Sequence, residues 1–442
     1  MSALWCELAW LGGESATEGV LIETDGERIA SVATGVAAPA AADRLPGLTL
    51  PGLANAHSHA FHRALRGRTQ AGRGSFWSWR EQMYAVAERL DPDAYLALAR
   101  ATFAEMALAG ITAVGEFHYL HHDRGGAPYS DPNEVGLALV DAARQAGIRI
   151  TLIDACYLHG GVGEELDAVQ RRFADADADA WAARAVALAP GEGWRTGAAI
   201  HSVRAVDPDS AATVAGFASE RALPLHAHVS EQPAENEACR AAYGKTPAGV
   251  LHDAGALDER FTAVHATHLS DADFALLANA GCTCCLCPTT ERDLADGIGP
   301  ARQLADAGVA LTLGSDSHAV IDPFEEARAL ELDERLASGE RGRHSAAALL
   351  EAATAAGHAS IGWPDAGRIE AGALADLTTV SLESVRLAGT VPETALESVV
   401  FAATASDVVN VIVGGRAIVR DGVHVEVDVA SELGAAVTRL RA

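Results

Sequence analysis

Between residues 48 and 316, short apolar runs suited to strands alternate with Ala-rich stretches suited to helices. No other feature narrows the possible folds as far. Strands are expected at Leu48–His59, Ile111–His118, Ile148–Leu158, Gly197–Val203, Leu223–Val229, Phe261–His268, Cys282–Cys287 and Val309–Asp316. The stretches between them, such as Pro92–Ala109, Pro132–Ala146 and Asp209–Arg221, carry apolar residues at helical spacing. Eight strand–helix units of this kind predict a closed (β/α)8 barrel, an α/β fold whose active site lies at the C-terminal ends of the strands.

Both ends of the chain have a different texture. Gly19–Thr24 and Arg28–Val32 flank Asp25-Gly26, a hairpin signal. Asp376–Val380, Val408–Val413 and Arg416–Val419 also read as strands, with Gly414-Gly415 as a turn. Two β-rich ends can pair into one small domain beside the barrel. The expected division is residues 1–48 and 368–442 for the small domain and 49–367 for the barrel.

The bulk properties bound the function. With 442 residues, 49% of them hydrophobic, the chain can bury a large core. A net charge of −27 argues against nucleic acid or an anionic membrane as partner. Met1 to Leu11 lacks the basic start and apolar core of a signal peptide, and no apolar run reaches the roughly 20 residues of a membrane helix. Seven Cys do not make a disulfide framework, and Cys282, Cys284, Cys285 and Cys287 fit a crowded core strand better than a metal site. A cytoplasmic, reduced enzyme is the simplest reading.

Most of the 17 His stand at or just beyond an expected strand end. His57 and His59 are two apart, so on a strand they point the same way and can chelate one ion. His228 follows from the fifth strand and Asp316 from the eighth. Three imidazoles and a carboxylate with an open position suit one catalytic Zn2+, and Fe2+ also fits. The chain has a single Lys, Lys245, placed away from the end of the fourth strand, so a Lys-bridged metal pair is not expected. Glu231, three residues after His228, occupies a general acid/base position. His265 can orient the nucleophile, and Asp316 can also accept a proton. Each of these residues has a plainer reading: a helix-starting acid for Glu231, a hydrogen-bonded core residue for His265.

The strand-one His-x-His, the fifth-strand His-x-x-Glu, the sixth-strand His and the eighth-strand Ser-Asp resemble the amidohydrolase superfamily, in its mononuclear deaminase branch. Within that branch, Asn55–Phe61, Ser75–Arg80, Glu116–Tyr119, His201–Arg204 and Pro288–Glu291 are similar to the N-formimino-L-glutamate deiminases. The resemblance spans nearly the whole chain. It implies that the β-rich ends form a small β-sandwich, that the protein is a homodimer, and that Arg80, Tyr119, His201 and Arg204 bind the glutamate part of a substrate. It further implies that Glu231, His265 and Asp316 carry the proton transfers of a hydrolytic deimination in histidine degradation. Two stretches depart from that family. His62 replaces the usual Gln at a substrate contact, and Glu291-Arg292-Asp293-Leu294 replaces Glu-Ala-Asn-Leu.

The residues themselves bear on an anionic substrate. From Ala60 to Arg80 the chain carries Arg63, Arg66, Arg68, Arg73 and Arg80 and no Asp or Glu, a local reversal in an acidic protein. Two Arg could each take one carboxylate of a small dianion. The plainer alternative is that these Arg pair with acidic neighbours. Two other functions stay open at this level: a guanine or adenosine-like deaminase, and a non-catalytic barrel scaffold.

Overall fold

In the computed structural model, which describes residues 2–71 and 73–441, the chain begins with four strands. They are β1 (Ser2–Ala9), β2 (Thr17–Asp25), β3 (Arg28–Ala33) and β4 (Asp43–Pro51). Eight parallel strands follow: β5 (Leu53–Ser58), β6 (Ile111–His118), β7 (Arg149–Cys156), β8 (Trp194–Ile200), β9 (Leu225–Val229), β10 (Phe261–His265), β11 (Thr283–Leu286) and β12 (Ala310–Leu313). The chain returns to its starting sheet with β13 (Leu377–Val380), β14 (Val408–Val413), β15 (Arg416–Arg420) and β16 (Val423–His424). This terminal sheet is mixed and ordered β16-β15-β14-β13-β4-β1-β2-β3. It has a small apolar core of its own, built around Leu4, Val20, Ile22, Ile29, Leu45 and Ile412.

The strand expected over residues 48–59 is two strands in two sheets. Its first part belongs to β4, between β1 and β13, and its second part is β5 of the barrel. The break falls at Gly52, where a Cβ would come within 2.2 Å of Thr112 Oγ1. Only glycine lets the backbone pass that close. Arg149, 3% exposed at the start of β7, then ties the two bodies together, donating to both oxygens of Asp376 at 2.8 and 3.1 Å.

Helices wrap the barrel as the Ala-rich periodicity predicts. Among them are α1 (Phe76–Ala87), α2 (Pro92–Leu108), α3 (Glu134–Ala146) and α4 (Ala178–Ala185). Asp91 caps α2, accepting from the Ala94 amide at 2.7 Å, with Pro92 in the first turn where its missing N–H costs nothing. In the barrel each strand pairs with its sequence neighbours from β5 to β12. The ring closes between β5 and the segment after β12, where Asp316 N donates to His57 O at 3.0 Å and His59 N to Asp316 O at 3.3 Å. The closing bonds are made by the very residues expected to hold a metal. Among the described residues no helix is long and apolar enough to cross a membrane.

Candidate active site

Strand geometry gathers His59, His228 and Asp316 around His57. His57 Nε2 lies 3.1 Å from His228 Nε2 and 3.6 Å from Asp316 Oδ1, and His59 Nε2 is 3.3 Å from the same oxygen. Metal–ligand bonds of about 2.0–2.2 Å place tetrahedral donors roughly 3.3–3.6 Å apart, close to these three separations, and the donors fall into two triads that share His57: His57–His59–Asp316 and His57–His228–His265. The tautomers agree with that use. Nδ1–H of His59 donates to the Phe117 carbonyl at 2.9 Å, and Nδ1–H of His228 to the His201 carbonyl at 2.8 Å, which leaves both Nε2 lone pairs facing inward. Burial, with mutual repulsion among the imidazoles, holds His57 and His228 well below the usual histidine value, and burial pushes His59 down to about 3. Three neutral nitrogens and a carboxylate therefore converge, a donor set that fits a divalent cation.

His265 is arranged differently. Burial opposes its charge, but the bond to Glu291 and the charges of Glu231 and Asp316 outweigh burial and lift it to about 10. Its Nδ1 lies 3.3 Å from Glu291 Oε1, and its Nε2 is 4.0 Å from Glu231 Oε1 and 3.8 Å from Asp316 Oδ2. Burial pushes Asp316 up to about 7, with Glu231 and Glu291 adding to the shift. The backbone here is forced: Ser230, His265, Ala266, Asp316 and His318 all have positive φ, at 52°, 66°, 51°, 38° and 56°. Left-handed conformations at non-glycine residues cost about 1–3 kcal/mol each and persist where surrounding structure holds them.

Behind the cluster, a buried network supports both halves of the ring closure. Glu116 accepts from Ser58 Oγ at 2.5 Å and from Ala60 N at 2.6 Å, one residue beyond each strand-one His. Ser58 Oγ also meets His318 Nε2 at 3.1 Å, and His318 Nδ1 meets Ser315 Oγ at 3.0 Å. Asn55 completes the link, donating to Ser315 Oγ at 2.7 Å. The strand that carries His57 and His59 is thus bonded through side chains to the turn that carries Asp316.

A pocket of about 200 Å3 opens over these groups. Its walls include His62, Arg80, Tyr119, His201 and Arg204 beside His59, His228, Glu231, His265 and Asp316. His62 is 2% exposed, its Nε2 is 3.0 Å from the Tyr119 hydroxyl, and its ring meets Trp79 edge-on. Arg80 donates from Nε to the Tyr84 hydroxyl at 2.7 Å and lies over the Trp77 and Tyr84 rings. Arg204 donates to Glu231 Oε2 at 2.7 Å.

Other candidates go elsewhere. Arg63 and Arg66 both bind Glu105 of α2 at 2.6 Å, the plainer of the two readings offered for them, and Arg68 and Arg73 do not line the pocket. His118 and His121 turn away from the barrel mouth, joining Asp154 under α3 and α4. There Arg184 binds both Asp154 oxygens at 2.8 and 2.9 Å and Asp175 at 2.9 Å. The four clustered Cys are buried free thiols. Sequence reasoning missed Glu116, Glu235 and Glu291. Glu116 and Glu291 left a trace, each inside a stretch valued for its resemblance alone, and Glu235 left none.

Comparison with known proteins agrees with this architecture. Residues 48–418 match the model of the amidohydrolase family. The chain is 38% identical over 437 residues to the formimidoylglutamate deiminase of Pseudomonas aeruginosa, covering 96% of each chain. It is 31% identical over 413 residues to a 5-methylthioadenosine/S-adenosylhomocysteine deaminase of Natronomonas pharaonis, covering 92% of this chain and 89% of the relative. Among solved structures, an amidohydrolase of Brucella melitensis superposes with a TM-score of 0.92 at 34% identity, covering 100% of both chains. The chain belongs to the amidohydrolase family.

Proposed function

We propose that the protein hydrolyses N-formimino-L-glutamate to N-formyl-L-glutamate and ammonia, a step of histidine degradation. The observation that carries the reading is the presence of Arg80 and Arg204 in the same pocket as the imidazole–carboxylate cluster. A dianionic amino-acid derivative needs two cations at one end and amidine chemistry at the other. The 38% identity to a formimidoylglutamate deiminase supports the same choice.

His57, His59, His228 and Asp316 would hold one Zn2+ (Fe2+ suits the same donors), which when bound supplies Lewis-acid activation of water. The chain's own residues do the rest. Arg80 and Arg204 grip the two carboxylates and so orient the formimino group toward the cluster. Glu231, at the pocket wall and 4.0 Å from His265, takes a proton from the attacking water and hands it to the departing nitrogen. His265, held by Glu291, faces both Glu231 and Asp316 and stabilises negative charge that develops between them. Across the reaction one water is consumed: its oxygen becomes the formyl oxygen, the C–N bond breaks, and nitrogen leaves as ammonia.

One observation favours a second reading. Phe76, Trp77, Trp79, Tyr84, Tyr119, Tyr157 and Phe173 also line the pocket, and rings of this kind can stack on a purine. The relative that deaminates 5-methylthioadenosine points the same way. Ammonia release by zinc-loaded protein, with N-formimino-L-glutamate and 5′-methylthioadenosine tested side by side, separates the two. Turnover of the amidine supports the first reading. Full metal loading without ammonia from the amidine sinks it, and ammonia from the nucleoside alone puts the second in its place.

A further inference from the structure

The pocket's two arginines are not equivalent. Arg80 meets a hydroxyl, aromatic rings and, at 3.5 Å, the Gly160 carbonyl, but no carboxylate in any ion pair among the described residues. Arg204 is already engaged. Its Nη2 donates to Glu231 Oε2 at 2.7 Å, its Nε reaches Ser202 Oγ at 3.4 Å, and Glu235 adds a second negative charge beside it. The pair is largely buried, with side-chain exposures of 20% for Arg204 and 8% for Glu231. The residue suited to gripping a carboxylate and the residue suited to moving a proton hold each other.

We infer that Arg204 and Glu231 form a substrate-released latch: a substrate carboxylate takes Arg204, and only then is Glu231 free to turn to the reacting nitrogen. This rests on the dianionic-substrate reading above. Breaking a buried ion pair is costly when it strands a charge, but here one carboxylate replaces another on the same guanidinium, so the cation stays paired. Glu231 has somewhere to go. Its Oε1 already faces His265, while the bond from Arg204 to Oε2 fixes the orientation of the carboxylate and keeps it from turning to a substrate nitrogen. Ser230, immediately before it, sits at φ 52°, backbone strain of the kind that clusters at ligand clamps and switch regions. Arg80 needs no such release and can anchor the other carboxylate. The consequence is selectivity expressed in turnover: an amidine without carboxylates leaves the latch shut, and binding energy from the remote end of the substrate is used at the reacting end.

The latch is tested on zinc-loaded protein with N-formimino-L-glutamate and N-butylformamidine, which carries the amidine but no carboxylate. With Arg204→Met, kcat for N-butylformamidine is expected to rise about tenfold over wild type, because Glu231 is released, while kcat/KM for the dianion falls. No rise overturns the latch and leaves the deiminase reading standing, provided wild type turns over the dianion. Wild type inert toward both overturns the two together. A second measurement needs no turnover. Glutarate binding by calorimetry is expected to tighten about tenfold in Glu231→Gln, since nothing then competes for Arg204. In an Arg204→Met background that gain should vanish. A gain that persists there is general charge repulsion and also overturns the latch.

Discussion

Consider Arg80→Met. The guanidinium sits on the pocket wall, bonded to the Tyr84 hydroxyl at 2.7 Å and stacked over Trp77 and Tyr84. It holds no acidic residue in place, so its removal strands no charge. The lost hydrogen bond and ring contacts are worth about 1–2 kcal/mol of stability, which leaves the fold intact. A hydrogen bond to a charged carboxylate is worth more, about 2–3 kcal/mol in a pocket of this kind, or roughly 30–150-fold in affinity. Steady-state kinetics on N-formimino-L-glutamate should therefore show KM raised by about that factor, with kcat within about threefold of wild type. Arg80→Lys keeps the charge but loses the planar fork, and should fall between the two. A KM within about threefold of wild type would remove Arg80 from the substrate site. A fall in kcat at unchanged KM would mean that it acts on the transition state instead.

Two further substitutions probe what holds the site and the barrel. Glu291→Ala removes the acceptor that orients His265, and should lower kcat about 10–100-fold with KM little changed, the usual cost of losing an outer-shell partner; equal losses in KM, or none at all, refute the positioning role. Arg184→Met strands Asp154 and Asp175 and should cost about 3–5 kcal/mol at pH 7, measured by calorimetric or denaturant unfolding. The pH dependence gives the sign. Burial pushes Asp154 up, but Arg184, with His121 and His118, outweighs it and holds the carboxyl below its usual value. In wild type its contribution to stability is therefore present above the unfolded value of about 3.9 and is lost only as pH falls through the lower folded value. Without Arg184, burial dominates, so the deficit of the variant should shrink as pH drops from 8 to 5. The same deficit at both pH values refutes the pairing.

What the sequence revealed and what it hid divide along one line. Patterns carried by the chain's own period were visible: the strand–helix alternation, and the shared face of His57 and His59. Partnerships across the fold were not. Whether Arg63 and Arg66 face a substrate or pair with acids stayed open in the sequence, because Glu105, which pairs with both, lies a helix away on α2. Arg204 and Glu231 both stood out as site residues, but nothing in their spacing said that they touch. His118 looked like a rim residue, and its strand does end at the barrel mouth, yet its ring faces the helix layer, 3.3 Å from the position a Cβ on Gly136 would take. The single strand expected over residues 48–59 fails for a related reason. Pro51-Gly52 is a visible break, but that the two halves enter different sheets depends on Asp376, whose carbonyl takes the Gly52 amide at 2.8 Å.

The charge of the site explains why these residues need one another. Around His265 stand Glu231, Glu235, Glu291, Asp296 and Asp316, and the cations within reach are His265 and Arg204. Carboxylates outnumber cations, and burial makes the imbalance expensive. The strain shows in the carboxyls themselves. Burial, reinforced by neighbouring acids, pushes Asp316 to about 7 and Asp296 to about 8, and it raises Glu235 as well. A divalent cation at the imidazole cluster offsets two of those charges, which is an electrostatic reason for the donor set to exist. A dianionic substrate adds two negative charges more. Arg80 can absorb one unaided, and the other reaches a cation only by displacing Glu231 from Arg204. Recognition and proton transfer therefore draw on the same guanidinium, and a substrate that does not claim it leaves Glu231 held.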